Sequence, residues 1–318
     1  MSVQGKQKLV PIADCHMHFS SQQISDELNQ KLPPEVLGGI KPEFCGADKI
    51  LSLLDQAGIL QAFVLSSGYT WGLDMLDVGP GEYEWVKFEN DFTAAEVAKS
   101  PQRLTGFFSF NPLKDYAAEE LVRCHEALKL PGLKLHFTNS DVDMQNAEHV
   151  ARLKNVLSLA AERSIPALIH FRSRNPAFGT TDARIFIQEI LQALPKLKVQ
   201  LAHLGDWGAY VQVTRDIFET FIQAFAENPG LGKDRFWFDL SGALLIRPIA
   251  HLLPPSDEDL VMMADQIRRW GVERTLFGSD YFAFEPAEYA QVLRERLPLS
   301  EQELQTLFTN DGKALFER

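Results

Sequence analysis

Short apolar runs alternate with longer amphipathic segments along most of the chain. Strand-like runs fall at Leu9–Cys15, Gln61–Leu65, Leu104–Phe110, Gly132–Phe137, Pro166–Phe171, Lys198–His203, Arg235–Ser241 and Arg274–Asp280. Several lack polar alternation, as expected for strands buried on both faces. Between them the apolar residues recur with the helical period. In Asp48–Gly58, Ile50, Leu53, Leu54 and Ala57 fall at i, i+3, i+4 and i+7, and Gly58 is placed to stop the helix. Further helices are predicted at Glu89–Lys99, Ala117–Leu130, Ala147–Arg163, Asp182–Leu194 (with Asp182 as cap), Val211–Glu227, Asp257–Trp270, Ala287–Arg296 and from Ser300 to the end. Residues 19–45, with Pro33-Pro34 and Gly38-Gly39 as breakers, read as irregular, and 66–86 as a long loop.

Eight strands mostly separated by helices predict a (β/α)8 TIM barrel. The expectation is one domain over residues 1–318, with loop insertions and extra C-terminal helices. A doubly wound open sheet is the alternative, but no glycine-rich phosphate loop follows the first strand.

In such a barrel the chemistry lies at the C-terminal ends of the strands. The first strand ends in His16 and His18, the fourth in Lys134-Leu-His136, the fifth in His170, the sixth in His203 and the eighth in Asp280. Residues i and i+2 of a strand share a face, so His16 and His18 point the same way, about 6–7 Å apart along the strand. That separation suits two ligands on one metal ion. Cys15, next to His16 and so out of phase with it, is expected to face outward to the helix layer as a buried small hydrophobe. Polar groups so close to a core must find partners or a metal.

Composition narrows the classes of function. Hydrophobic residues make up 45% and charged residues 23% of the 318-residue chain, ordinary for a globular protein. The net charge of −12 disfavours nucleic acid and anionic membranes as partners. Three cysteines, Cys15, Cys45 and Cys124, show no paired spacing and point to a reducing, cytoplasmic location. No run approaches the length of a transmembrane helix or a secretory signal.

The chain resembles the amidohydrolase superfamily, in its amidohydrolase-related branch that includes aminocarboxymuconate semialdehyde decarboxylase. The matching features are His16-x-His18, Gly132-Leu-Lys-Leu-His136, His170, His203-Leu-Gly205, Gly278-Ser-Asp280 and Thr309-Asn-Asp-Gly-Lys-Ala-Leu-Phe316. The resemblance implies one divalent metal held by His16, His18, His170 and Asp280, with His203 beside the metal-bound water and the reacting group. Zinc is the expected ion, with Mn2+ and Fe2+ as alternatives. In some superfamily members a fourth-strand lysine is carboxylated and bridges two metals. One metal is favoured here, with Lys134 or His136 contacting substrate or supporting the metal's ligands.

Arg172 and Arg174 follow His170 and are the first candidates for gripping a substrate carboxylate. Trp71, on the long loop, is a candidate aromatic wall. Asp206, Trp207, Arg247 and Asp14 are weaker candidates for the pocket or its support. The leading expectation is a metal-dependent hydrolase of an ester, lactone or amide of a small carboxylated molecule, with Asp280 and His203 managing protons. The alternative is a non-oxidative decarboxylase of an aromatic or unsaturated acid. A third reading is a metal-bearing binding protein without turnover. A homodimer is the default assembly.

Overall fold

The computed structural model describes residues 9–33, 41–249 and 252–317. Pro34, Gly38 and Gly39 lie outside them. Eight parallel strands pair in chain order: β1 Ala13–His18, β2 Gln61–Leu65, β3 Leu104–Ser109, β4 Gly132–His136, β5 Ala167–His170, β6 Val199–Leu201, β7 Phe236–Asp239 and β8 Thr275–Leu276. The chain beyond β8 returns to β1. Cys15 N–H donates to the Phe277 carbonyl at 2.8 Å, and His18 N–H to that of Tyr281 at 3.0 Å. The sheet thus curls round to its first strand, which is the expected barrel.

Among the described residues ten α-helices surround it: α1 Gln22–Lys31, α2 Ala47–Ala57, α3 Glu82–Ala98, α4 Ala117–Glu126, α5 Ala147–Glu162, α6 Thr180–Ile185, α7 Gln212–Glu227, α8 Asp257–Trp270, α9 Pro286–Arg296 and α10 Glu301–Thr309. Gly58 closes α2 in the left-handed conformation, as its position predicts. Two stretches differ from expectation. The segment 19–45 contains α1, whose mostly polar sequence hides its period; Ser21 caps it by accepting from Ile24 N–H. The long loop is shorter than it reads, because α3 begins at Glu82. Asp182 is the third residue of α6, not its cap, and accepts from Gly179 N–H at 2.9 Å.

Apolar burial forms two layers. One lies between strands and helices. The other fills the barrel floor with Ala13, Cys15, Phe63, Leu65, Phe107, Leu168, Trp237 and Leu276, closed below by Leu315. The Thr309–Phe316 motif makes that closure. Gly312 sits there at φ +69°, and a Cβ on it would come within 2.7 Å of the Phe63 ring.

Cys15 in this floor corrects its expected outward orientation. The β1–β2 register steps from Asp14↔Ala62 to Met17↔Val64, so β1 carries one extra residue. Such a bulge switches which residues face inward. Ala13 and Cys15 point into the barrel below it. His16 and His18 do so above it, and Met17 turns out to the helix layer. No helix among the described residues is long and apolar enough to cross a membrane.

Candidate metal centre and active-site cavity

The bulge brings both β1 imidazoles to the barrel mouth, with ring centroids 5.2 Å apart. Asp280, in the turn after β8, holds φ +58° and is tied down by its N–H to the His16 carbonyl at 2.9 Å. Its Oδ1 lies 3.3 Å from His18 Nε2 and 3.5 Å from His16 Nε2. One ligand atom from each of His16, His18 and Asp280 falls within 4.8 Å of the others. His170 is the expected fourth ligand. It stands on the neighbouring wall, outside that group of three, and its Nε2 is buried without a hydrogen-bond partner. A bare imidazole nitrogen in a polar cavity is what a divalent ion would satisfy. The donor set therefore fits a metal.

Burial pushes the pKa of His16 down to about 3, helped by Lys134 and opposed by Asp239 and Asp280. It also holds those of His136 and His170 well below the ordinary histidine value. These rings are neutral, as ligation and hydrogen bonding to substrate require. Burial raises Asp280, but the His18 hydrogen bond and the nearby histidines outweigh it and keep the group a carboxylate.

A cavity of about 190 Å³ opens over these groups, lined by His16, His18, Lys134, His136, His170 and His203 among others. All five strand-end histidines thus meet at one mouth. A second lobe of about 380 Å³ extends outward past Tyr69, Leu73, Thr138 and Arg174. Lys134 is fully buried, with Nζ 3.4 Å from His16 Nε2. Burial lowers its pKa to about 8 against the pull of Asp280 and Asp239. His136 shares the cavity face with Lys134, as the period of two predicts. Its Nδ1 accepts from Asn139 N–H at 3.2 Å, so its neutral ring carries the proton on Nε2.

His203 lines the cavity beside the proposed ligands. Its Nδ1 lies 2.6 Å from the Ser241 carbonyl and its Nε2 3.1 Å from His170 Nδ1, so both nitrogens are engaged by protein. It adjoins the cavity but braces His170.

Two of the expected substrate contacts do not reach the cavity. Trp71 is buried in the short helical turn after β2 and stacks on Trp85 at 5.0 Å, lining neither lobe. Tyr69, two residues earlier, takes its place. Arg172 turns away to Asp206, 3.2 Å off, and lies over the Phe178 ring. Arg174 does line the outer lobe, although its Nε also donates to the Thr138 carbonyl and pairs with Asp141. Trp207 lines both lobes, whereas Arg247 lines neither and pairs with Glu288 behind Phe284. Asp14 supports β1: its Oδ1 accepts from His16 N–H and Ser279 N–H, and burial raises its pKa to about 7.

Sequence reading missed Asp239 and Ser241. Asp239 ends β7 and Ser241 follows two residues later, at a strand end where polar residues had been read on other strands. Both are wholly buried, and Asp239 Oδ2 lies 3.1 Å from His16 Nδ1.

The profile of the amidohydrolase family (Amidohydro_2) matches residues 13–314. A gamma-resorcylate decarboxylase from Polaromonas sp. strain JS666 is 24% identical over 301 residues, covering 85% of this chain and 87% of that protein. Among solved structures, 5-carboxyvanillate decarboxylase from Sphingomonas paucimobilis superposes with a TM-score of 0.65 at 18% identity, covering 97% and 99% of the two chains. Dihydroxybenzoic acid decarboxylase from Polaromonas sp. JS666, solved with bound manganese and 2-nitroresorcinol, gives a TM-score of 0.62 at 19% identity, covering 96% and 97%. A barrel whose strand ends carry this histidine and aspartate set, matched from its first strand to its last helix, makes the chain a member of the amidohydrolase superfamily, in the branch that holds these decarboxylases.

Proposed function

We propose that the protein is a metal-dependent, non-oxidative decarboxylase of a small aromatic carboxylic acid. This corrects the hydrolase expected first from the sequence, because the gamma-resorcylate, 5-carboxyvanillate and dihydroxybenzoic acid relatives that match most of the chain are decarboxylases of aromatic acids. Zinc likewise loses its place as the first choice of ion. Bound manganese in a structural relative supports Mn2+ in a mixed histidine and carboxylate site.

The observation that carries the reading is Lys134. A buried ammonium stands beside the ligand set, in a cavity whose other walls include Leu245, Ile249 and Phe284. That is a receptor for a carboxylate attached to an apolar ring.

His16, His18, His170 and Asp280 would hold the ion, which supplies positive charge for binding the carboxylate and for drawing electron density as the C–C bond breaks. Lys134 orients the carboxylate. His136 donates its Nε2–H to an oxygen substituent on the ring. Decarboxylation needs one proton at the ring carbon that bears the carboxylate. As CO2 leaves, the pair from the broken bond restores the aromatic ring. Asp280, a carboxylate at the junction of the two lobes, is placed to take a proton from water or from an acidic hydroxyl of the substrate and pass it to that carbon. Tyr69 and Trp207 flank the ring and exclude water. Arg174 meets any second anionic substituent in the outer lobe. Three buried free cysteines fit a reducing cytoplasm, and a homodimer is the assembly that light scattering would test.

The test is to load the protein with Mn2+ or Zn2+ and supply 2,6-dihydroxybenzoate, 5-carboxyvanillate and aryl lactones, following CO2 and the arene. Release of CO2 with one equivalent of arene is expected. Turnover confined to the lactones, with no CO2 from any acid, would overturn the proposal.

A further inference from the structure

Asp239 is the acceptor at the centre of the hydrogen bonding beneath the site. Its Oδ1 takes His203 N–H at 3.0 Å, Ser241 N–H at 3.1 Å and the Ser241 hydroxyl at 2.5 Å. Its Oδ2 takes Gln200 Nε2 at 2.7 Å and His16 Nδ1 at 3.1 Å. All five neighbours are placed to donate, so the pocket suits a group that only accepts.

The proton positions of three histidines follow. The Ser241 hydroxyl gives its one hydrogen to Asp239, so its oxygen accepts from His16 Nδ1 at 3.0 Å and His203 Nδ1 at 2.9 Å. His203 Nδ1 also faces the Ser241 carbonyl, which can only accept. Both rings therefore carry hydrogen on Nδ1. With one proton per ring, His203 Nε2 is bare and accepts from His170 Nδ1–H. This leaves His170 Nε2 bare as well, and it is the buried nitrogen that has no partner. His16 Nε2 is bare by the same logic and accepts from Lys134.

His203 and Leu204 both hold φ +57°, a backbone state that residues with side chains seldom adopt. The His203 N–H bond to Asp239 pins the first of them. His16, His203 and Asp239 also bring ligand atoms within 4.8 Å of one another. The hydroxyl of Ser241 joins these atoms by hydrogen bonds, so they act as wiring and not as a second ion site.

We infer that Asp239 is a positioning residue that locks His16 directly, and His170 through Ser241 and His203, into the tautomers that aim bare Nε2 atoms at one point. This rests on the metal-centre reading of Proposed function. A carboxylate behind a ligand histidine fixes its ring and raises its basicity, and losing it typically weakens metal binding about 10–100-fold.

The test uses the metal-free protein with 15N-labelled histidine. Long-range 1H–15N spectra are expected to report Nδ1–H for His16, His170 and His203, and Nε2–H for His136 as internal contrast. In Asp239→Asn the amide must turn a donor toward donors, so His16 is expected to lose its single tautomer. The Mn2+ dissociation constant, measured by chelator competition and Mn2+ EPR, is expected to rise about 10–100-fold. Ser241→Ala removes only the hydroxyl bridge and should raise it by less.

Nε2–H at His16 or His203 in the wild type overturns the inference whether or not the variant folds. So does a folded Asp239→Asn protein with the wild-type tautomers and affinity. Wild-type protein that shows the expected tautomers but binds neither Mn2+ nor Zn2+ supports the histidine assignment and overturns the metal reading instead.

Discussion

His136 lies flat on His170, with ring centroids 3.9 Å apart and planes 12° from parallel. The Tyr69 ring lies 4.7 Å from that of His136, tilted by 31°. The ring proposed to offer Nε2–H to substrate therefore also packs as a wall on the proposed ligand His170. His136→Phe keeps the stack and removes the donor. It should lower kcat/KM about tenfold, the loss of one hydrogen bond, with metal content unchanged. His136→Ala removes both and should lower metal content too. Steady-state kinetics with elemental analysis of the same samples separates the two effects.

Asp280 and His18 meet at 3.3 Å at the centre of the ligand group. Asp280→Asn replaces an anionic ligand with a neutral one and should leave metal occupancy far below one equivalent after dialysis. His18→Ala should do the same, and His170→Ala likewise if its bare nitrogen is a ligand. Full occupancy in all three by plasma emission spectrometry would remove the metal assignment.

The two arginines after β5 should behave differently. Arg174→Ala, in the outer lobe, is expected to raise KM for a dicarboxylated substrate and leave that of a monocarboxylated one unchanged. Arg172→Ala should leave both KM values alone but strip the buried Asp206 of its cation. Screening at the partly exposed guanidinium limits the loss to on the order of 1 kcal/mol. That corresponds to a fall of roughly 2–4 °C in Tm by scanning calorimetry. A KM effect at Arg172 equal to that at Arg174 would contradict this placement.

Acid sensitivity should appear on the helix layer. Glu219 of α7 pairs with Arg269 of α8 and accepts from Gln266, and the Arg269 hydrogen bond leads in bringing its pKa down to about 2. A folded-state pKa below the unfolded value contributes stability above the unfolded pKa, and that contribution fades as pH falls through the folded one. The stability difference between wild type and Glu219→Gln should therefore be constant at neutral pH. It should shrink below about pH 4.5 and vanish near pH 2. Urea unfolding of both proteins between pH 7 and pH 3 gives the curve; a gap that widened on acidification would refute the pairing.

The barrel and most of its mouth were legible because they depend on local periodicity. A strand buried on both faces must be apolar throughout, and a polar residue at its end must face the mouth or water. Eight repetitions of that pattern were enough to order the strands and to bring His16, His18, Lys134, His136, His170, His203 and Asp280 to one rim. Helix α1 escaped because its face is mostly polar, and Tyr69 escaped, while Trp71 stood out, because a loop has no period to tell a buried ring from a lining one.

What the sequence determined by itself is the identity of the chemical groups and the strand that carries each. Only the tertiary structure decided how those groups face one another. One extra residue in β1 turns Cys15 into the floor while His16 and His18 still point into the barrel. The partner that sets the His16 proton, Asp239, stands 223 positions away. No local pattern encodes either fact. Inward direction depends on the register between strands, and the choice of hydrogen-bond partner depends on closing the barrel, which brings polar atoms at the ends of β1, β6 and β7 within hydrogen-bonding distance of one another.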